Sequence, residues 1–199
     1  MIFGVIPAAG KSSRMGVPKL ALPLGDRSIL EHAIAALQAS AVTTVVVVGK
    51  HVAQLVPLVE KANAHALILE TETAQMRETV EAGLTWIESR FHPTAKDAWF
   101  LLPADHPVLD PEVIRQLAAA QSAAPIVVPV NDGKRGHPVL FAWSEVARIR
   151  AFPQEQGIDA YIREHQSDVL ELTVAHPGIH TDLDTWQDYE RMLRAVESS

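Results

Sequence analysis

Residues 5–25, "VIPAAGKSSRMGVPKLALPLG", decide how this chain is read. The centre, "AAGKSS", looks like the phosphate loop of an ATPase. That loop needs glycine, four residues, then Gly-Lys-Ser/Thr, so that backbone N–H groups curl around a β-phosphate. Gly10-Lys11-Ser12 would require glycine at position 5, and Val5 stands there. Gly4 is one residue too early, and no triple-glycine dinucleotide pattern replaces it. The chemistry of an anion cradle nevertheless remains. Ala8, Ala9, Gly10, Ser12 and Ser13 are small enough for a ligand to approach the backbone, and Lys11, Arg14 and Lys19 supply positive charge. A strand running into such a loop is where open α/β folds hold nucleotide phosphates. The plainer alternative is a strand-to-helix loop with solvated lysines.

The rest of the 199 residues supports one domain, 1–199, because 48% apolar residues build a full core and no linker interrupts them. A net charge of −7 argues against a nucleic-acid or anionic-membrane surface, which would need a basic face. The absence of cysteine excludes disulfides and thiolate metal sites. No apolar run reaches membrane-spanning length, and the first is too short for a secretory leader, so the cytoplasm is the expected location.

Short apolar runs at 2–7, 43–49, 66–69, 98–104 and 125–130 read as buried strands. Helical spacing fills 28–40, 51–63, 76–90 and 110–122, with Asp110-Pro111 as an N-cap and first-turn pair. This alternation predicts an α/β fold of three layers, a doubly wound and mostly parallel sheet between helices. "VNDGKRGHPVLF" (130–141) predicts a small antiparallel excursion. A further β-run at 168–174 and a last helix from about 185 complete the chain.

Three more stretches carry chemistry. In "FLLPADHPVLDP" (100–111), Asp105 follows an apolar strand and should stand at its carboxyl tip, where a carboxylate can hold Mg²⁺ against a nucleotide. A turn or cap role is the alternative, but Asp110 is the better cap. In "GIHTDLDTWQDYER" (178–191), a strand would put His180, Asp182 and Asp184 on one face. Asp182 is then the metal candidate and Asp184 the cap of the last helix. In "QMRETVEAGL" (75–84), the loop before the helix could touch a base or substrate, yet Met76, Val80 and Leu84 at a spacing of four read more simply as a core stripe. His106 and His137, each before proline, read as turn residues. No nucleophile elbow is present.

Taken together, these motifs resemble the molybdenum cofactor nucleotidyltransferase family. "PAAGKSSRMGVPKLALPLG" is similar to its opening signature, "PADHPVL" to its metal-binding Asp-x-Pro segment, and "QMRETVEAGL" to its substrate-side helix start, with Thr79 in the place of a serine. "GHPVLF" and "DLDTWQDY" are similar to its later landmarks. The Pro7-Ala8-Ala9-Gly10 form looks like the cytidylyltransferase branch. Departures at Gln75, in "QEQGIDA" (154–160) and at Trp186 touch the acceptor side or the scaffold.

The resemblance implies a nucleotide-diphospho-sugar transferase-like fold and Mg²⁺-dependent transfer of CMP from CTP to a phosphorylated acceptor, with molybdopterin as that acceptor. A molybdoenzyme or its insertion factor would be the protein partner. Residues 7–14 and Lys19 would bind the nucleotide; Lys19, Arg14 and Asp105 would be catalytic. Asp105 and Asp182 would hold the metal, with Met76 and Thr79 on the substrate side. Guanylyl transfer, transfer onto sugar or polyol phosphates, and a non-catalytic delivery protein of the same fold are the alternatives.

Overall fold

In a computed structural model of the chain, residues 1–10, 15–107 and 109–197 are described, with side chains as far as Arg194. The first half contains β1 (Ile2–Ala8), a hairpin of β2 (Pro23–Leu24) and β3 (Arg27–Ser28), α1 (Ile29–Gln38), β4 (Thr43–Gly49), α2 (Val56–Lys61) and β5 (His65–Leu69). Then come α3 (Met76–Phe91), β6 (Ala98–Leu101) and α4 (Pro111–Ala119). The last third contains β7 (Ile126–Asn131), β8 (Lys134–Arg135), β9 (Val139–Ala142), α5 (Glu145–Ala151), α6 (Ile158–Glu164), β10 (Val169–Thr173) and α7 (Trp186–Glu197).

The main sheet has eight strands along the path β10-β7-β9-β6-β1-β4-β5, with β8 paired to β7. Only β9 and the short β8 run against the others. The protein therefore has the expected mostly parallel α/β sheet with an antiparallel excursion. β4 carries six successive buried residues, Thr44 to Gly49, as a strand covered on both faces must. Helices α1, α2, α4 and α7 pack on one side, and α3, α5 and α6 on the other. At Gly83 of α3, an added Cβ would come within 3.0 Å of Val47 and Val5, so glycine lets this helix lie close against β1 and β4. No helix among the described residues is long and apolar enough to cross a membrane.

Local chemistry sets the helix starts. Ser28 and Glu31 form a capping box that opens α1, and Asp110 caps α4 by accepting from the Glu112 amide at 2.8 Å. Two expectations need correction. The helix foreseen over 51–63 breaks into a 3₁₀ segment, Lys50–Leu55, and the short α2. Pro57, having no N–H to donate, cannot continue a helix through its own first turn. The strand foreseen through 178–184 is a 3₁₀ turn, Pro177–His180, followed by extended chain. Thr185, not Asp184, caps α7: its hydroxyl accepts from the Asp188 amide, and the Asp188 carboxylate accepts from the Thr185 amide at 2.8 Å.

Candidate active site

A cavity of about 510 Å³ opens at the carboxyl ends of β1 and β6. Pro7, Ala8, Ala9 and Gly10 form one wall, where β1 gives way to its loop. Thr73, Ala74, Gln75 and the first turn of α3 form the opposite wall. Lys11, Ser12, Ser13 and Arg14, foreseen as phosphate ligands, lie outside the described residues. The strand foreseen to 104 ends at Leu101, because Leu102 donates to the Val5 carbonyl and Pro103 then turns the chain over the sheet edge. Asp105 is thus carried past the strand tip into the cavity mouth.

Lys19 reaches this mouth from the 3₁₀ turn Lys19–Ala21. Its Nζ donates to Asp105 Oδ2 at 2.7 Å, to the Leu183 carbonyl at 2.5 Å and to Asp184 Oδ1 at 3.2 Å. Segment 177–185 acts as a strap across the sheet edge. The Leu183 amide donates to the Asp105 carbonyl, and the His137 amide donates to the Ile179 carbonyl. Gly136 permits that crossing, because a Cβ there would stand 2.5 Å from the Ile179 oxygen.

The strap brings Asp184, rather than Asp182, to Asp105. Asp182 is exposed and is absent from the cavity wall, whereas Asp184 lines it. The shared strand face that singles out Asp182 in the sequence does not form. Extended chain after the 3₁₀ turn instead buries Leu183 and turns Asp184 inward. Among the described residues no group of three or more histidine, cysteine or acidic side chains gathers to hold a metal. Two carboxylates drawn to one ammonium, on the wall of an open cavity, do fit a hard divalent cation that completes its shell with water and phosphate oxygens. Asp105 and Asp184 are the residues that could hold it.

The substrate-side expectations divide. Val80 and Leu84 are fully buried, as a core stripe requires, but Met76 is 45% exposed and lines the cavity. Thr79 also lines it, with its hydroxyl 2.6 Å from that of Thr73. That hydrogen bond ties the loop before α3 to the helix.

Sequence reasoning missed a histidine pair. His106 and His137 meet edge to face at 5.1 Å, and Nδ1 of each is buried without a partner among the described residues. Burial pushes His106 below its ordinary value, against the pull of Asp105. Burial, with His106 beside it, pushes His137 down to about 4. Both are neutral near pH 7. Their prolines signalled turns, but nothing in the spacing showed that two turns 31 residues apart would meet.

Residues 4–169 match the family profile described as a MobA-like NTP transferase domain. The chain is 28% identical, over 186 residues, to a 2-C-methyl-D-erythritol 4-phosphate cytidylyltransferase from Streptomyces avermitilis, covering 82% of this chain and 72% of that one. Among solved structures it resembles the Rv0371c homolog from Mycobacterium sp. strain JC1, with a TM-score of 0.83 and 27% identity over 99% of this chain and 97% of the other. Rv0371c of Mycobacterium tuberculosis H37Rv in complex with manganese superposes with a TM-score of 0.78 at 24% identity, covering 98% of each chain.

Proposed function

The chain belongs to the MobA-like NTP transferase family and is a nucleotidyltransferase, and we propose that it moves CMP from CTP onto a phosphorylated acceptor, releasing pyrophosphate. In this reading an oxygen of the acceptor phosphate attacks the α-phosphorus in line with the departing group. The bond to the β-phosphate oxygen breaks, and pyrophosphate carries away its electron pair. Such transfer needs little covalent work from a protein; it needs positioning and charge neutralisation.

The observation that carries the reading is the Lys19 ammonium, held by Asp105 and Asp184 at the mouth of a cavity walled by Ala8, Ala9 and Gly10. A binder has no use for a positioned cation there; a transferase uses it to offset charge growing on the α-phosphate. The backbone N–H groups of Ala9 and Gly10, with Lys11 to Arg14, would hold the β- and γ-phosphates, Arg14 pairing to them. Asp105 and Asp184 would hold Mg²⁺, which supplies neutralisation of the reacting phosphates. The manganese bound by Rv0371c supports a divalent ion in this fold. Met76 and Thr79 would meet the substrate across the cavity.

For the acceptor we favour molybdopterin, on the strength of the motifs from "PAAGKSSRMG" to "DLDTWQDY". One observation favours a second reading, transfer onto a polyol phosphate: the Streptomyces relative is a cytidylyltransferase for such an acceptor. Pyrophosphate release, with each of four NTPs against molybdopterin and a panel of sugar and polyol phosphates, tests both. Release with CTP and molybdopterin is expected. Release only with a polyol phosphate moves the acceptor to the second reading, and release with GTP alone overturns the base.

A further inference from the structure

The two edges of the main sheet are built differently. At one edge, β10 carries Glu171 at its centre, exposed and paired with Arg135 at 2.7 Å. A charge in that place guards an open strand edge against pairing with another chain. At the other edge, β5 reads His65-Ala66-Leu67-Ile68-Leu69, with no acidic residue, lysine or proline. Its register with β4 is unbroken from His65 to Leu69, so no bulge turns the edge away. Among the described residues no strand pairs with its outer side. Ile68 is 43% exposed.

Side chains alternate across β5. Leu67 and Leu69 pack with the α3 side of the sheet, and Ala66 with the side of α1 and α2. Ile68 therefore shares the face of Ala66. On the α3 side, Trp86 meets His65 at 5.1 Å, and Arg90 lies over the Trp86 ring at 5.2 Å. An aromatic ring thus stands beside the start of the edge strand.

We propose that β5 is an interface between two copies of this chain, which pair antiparallel about a two-fold axis at Leu67 and join their sheets. The inference is independent of the transfer reading. Such pairing sets Leu67 against Leu67, Ala66 against Ile68 and His65 against Leu69. The large Ile68 then covers the small Ala66 on one face, twice by symmetry. On the other face Leu69 comes beside His65 and its Trp86 neighbour. Just past the strand, Glu70 comes opposite Ala64, so like charges do not meet. The same operation on β10 sets Glu171 against Glu171, which is unfavourable. This fit of β5 to its own reverse is what selects a second copy over a foreign strand. Five residues a side make a small interface, so the dimer should be concentration-dependent, half-formed at about 10–100 μM.

The test is sedimentation velocity on the full chain from about 2 to about 500 μM, a range that brackets a weak interface. A shift from monomer to dimer is expected. Ile68→Lys should raise the dissociation constant at least about tenfold, because it presses an ammonium against Ala66. Ile68 is exposed in the single chain, so the melting temperature of dilute protein should hold. Disulfide trapping reads the register, since the chain has no cysteine of its own. Ala66→Cys and Ile68→Cys, mixed under mild oxidation, should cross-link to each other. Neither should cross-link alone, because like positions would stand about 8 Å apart, beyond disulfide reach. The proposal is overturned by a monomer throughout that range, by a dimer that Ile68→Lys leaves intact, or by a mixture that cross-links no faster than the single variants.

Discussion

Two cations in this protein each collect several oxygens, one at an open cavity mouth and one inside the scaffold. Lys19 gathers Asp105, Asp184 and the Leu183 carbonyl at the open mouth of the first cavity. Arg77, one residue past Met76, is 2% exposed. Its guanidinium donates to the carbonyls of Ile149, Phe152, Pro153 and Gln156, and its Nε donates to Glu81 at 2.8 Å. Carbonyls at the end of α5 lack part of their helical donors, so Arg77 adds charged ones and docks the turn between α5 and α6 onto α3. The partners of Lys19 are carboxylates that a metal ion can take over. Those of Arg77 are, Glu81 apart, backbone carbonyls fixed in the turn after α5, two of which, Ile149 and Pro153, also accept from the Phe152 and Gln156 amides. One cluster can exchange its occupant and the other cannot.

Substitution should break that contrast in opposite directions. Lys19→Ala is expected to lower kcat/KM for pyrophosphate release by about 10²–10³-fold, some 3–4 kcal/mol of barrier, by the precedent of oxyanion donors. The melting temperature of the free protein should shift by no more than about 3 °C, because the lost partners remain in reach of water. Arg77→Met should do the reverse. Loss of the charged donor shared by four carbonyls, with Glu81 left unpaired, costs about 3 kcal/mol, or roughly 6–12 °C in a melting scan, while affinity for CTP in the folded fraction, read by calorimetry, stays near the parent value.

A third charge cluster sharpens the scaffolding side through pH. Burial alone would raise the Glu31 carboxyl, yet the Lys61 ammonium and the amide and hydroxyl of Ser28 together bring it from 4.5 down to about 2. A carboxyl lowered on folding adds stability that is complete above pH 4.5 and disappears as pH falls through 2. Glu31→Gln should cost about 1–2 kcal/mol at neutral pH. Denaturant midpoints of parent and variant should then converge as pH falls from 4.5 toward 2. Parallel curves over that window would remove the charge from the account. The smallest effect is expected at Asp110→Asn, since asparagine also caps a helix and α4 keeps its start.

Much of this was legible in the chain, and where legibility failed there is a physical cause. Strand runs such as "TTVVVVG" announce themselves because a doubly covered strand has no polar face. The place of Asp105 in the cavity was readable because a residue just past a strand's carboxyl end faces the crevice of an α/β sheet. That of Asp184 was not. Choosing between two aspartates two residues apart required knowing whether the intervening backbone is pleated, and that depends on Leu183 pairing with Asp105 across 78 positions of chain. Spacing alone puts Met76 in a stripe with Val80 and Leu84, whereas it stands at the first residue of α3, where the helix overhangs the cavity, the side on which the family resemblance sets it. The hairpin of β2 and β3 also went unread. Its strands are two residues each, too short for alternation to show.

Asp105 and Asp184, with Lys19 between them, are proposed as the reacting end of a nucleotidyltransferase. The most direct measurement is the initial rate of pyrophosphate release from CTP with Mg²⁺ and the cognate acceptor, compared for Asp184→Asn and Asp182→Asn. Asp184→Asn should lose about a hundredfold, because it removes one of two charges available to the cation. Asp182→Asn should stay within about twofold of the parent, as a solvent-exposed substitution away from the cavity. A loss at Asp182 with full rate at Asp184 would contradict the site built here, and undiminished rates in both would place the reaction elsewhere.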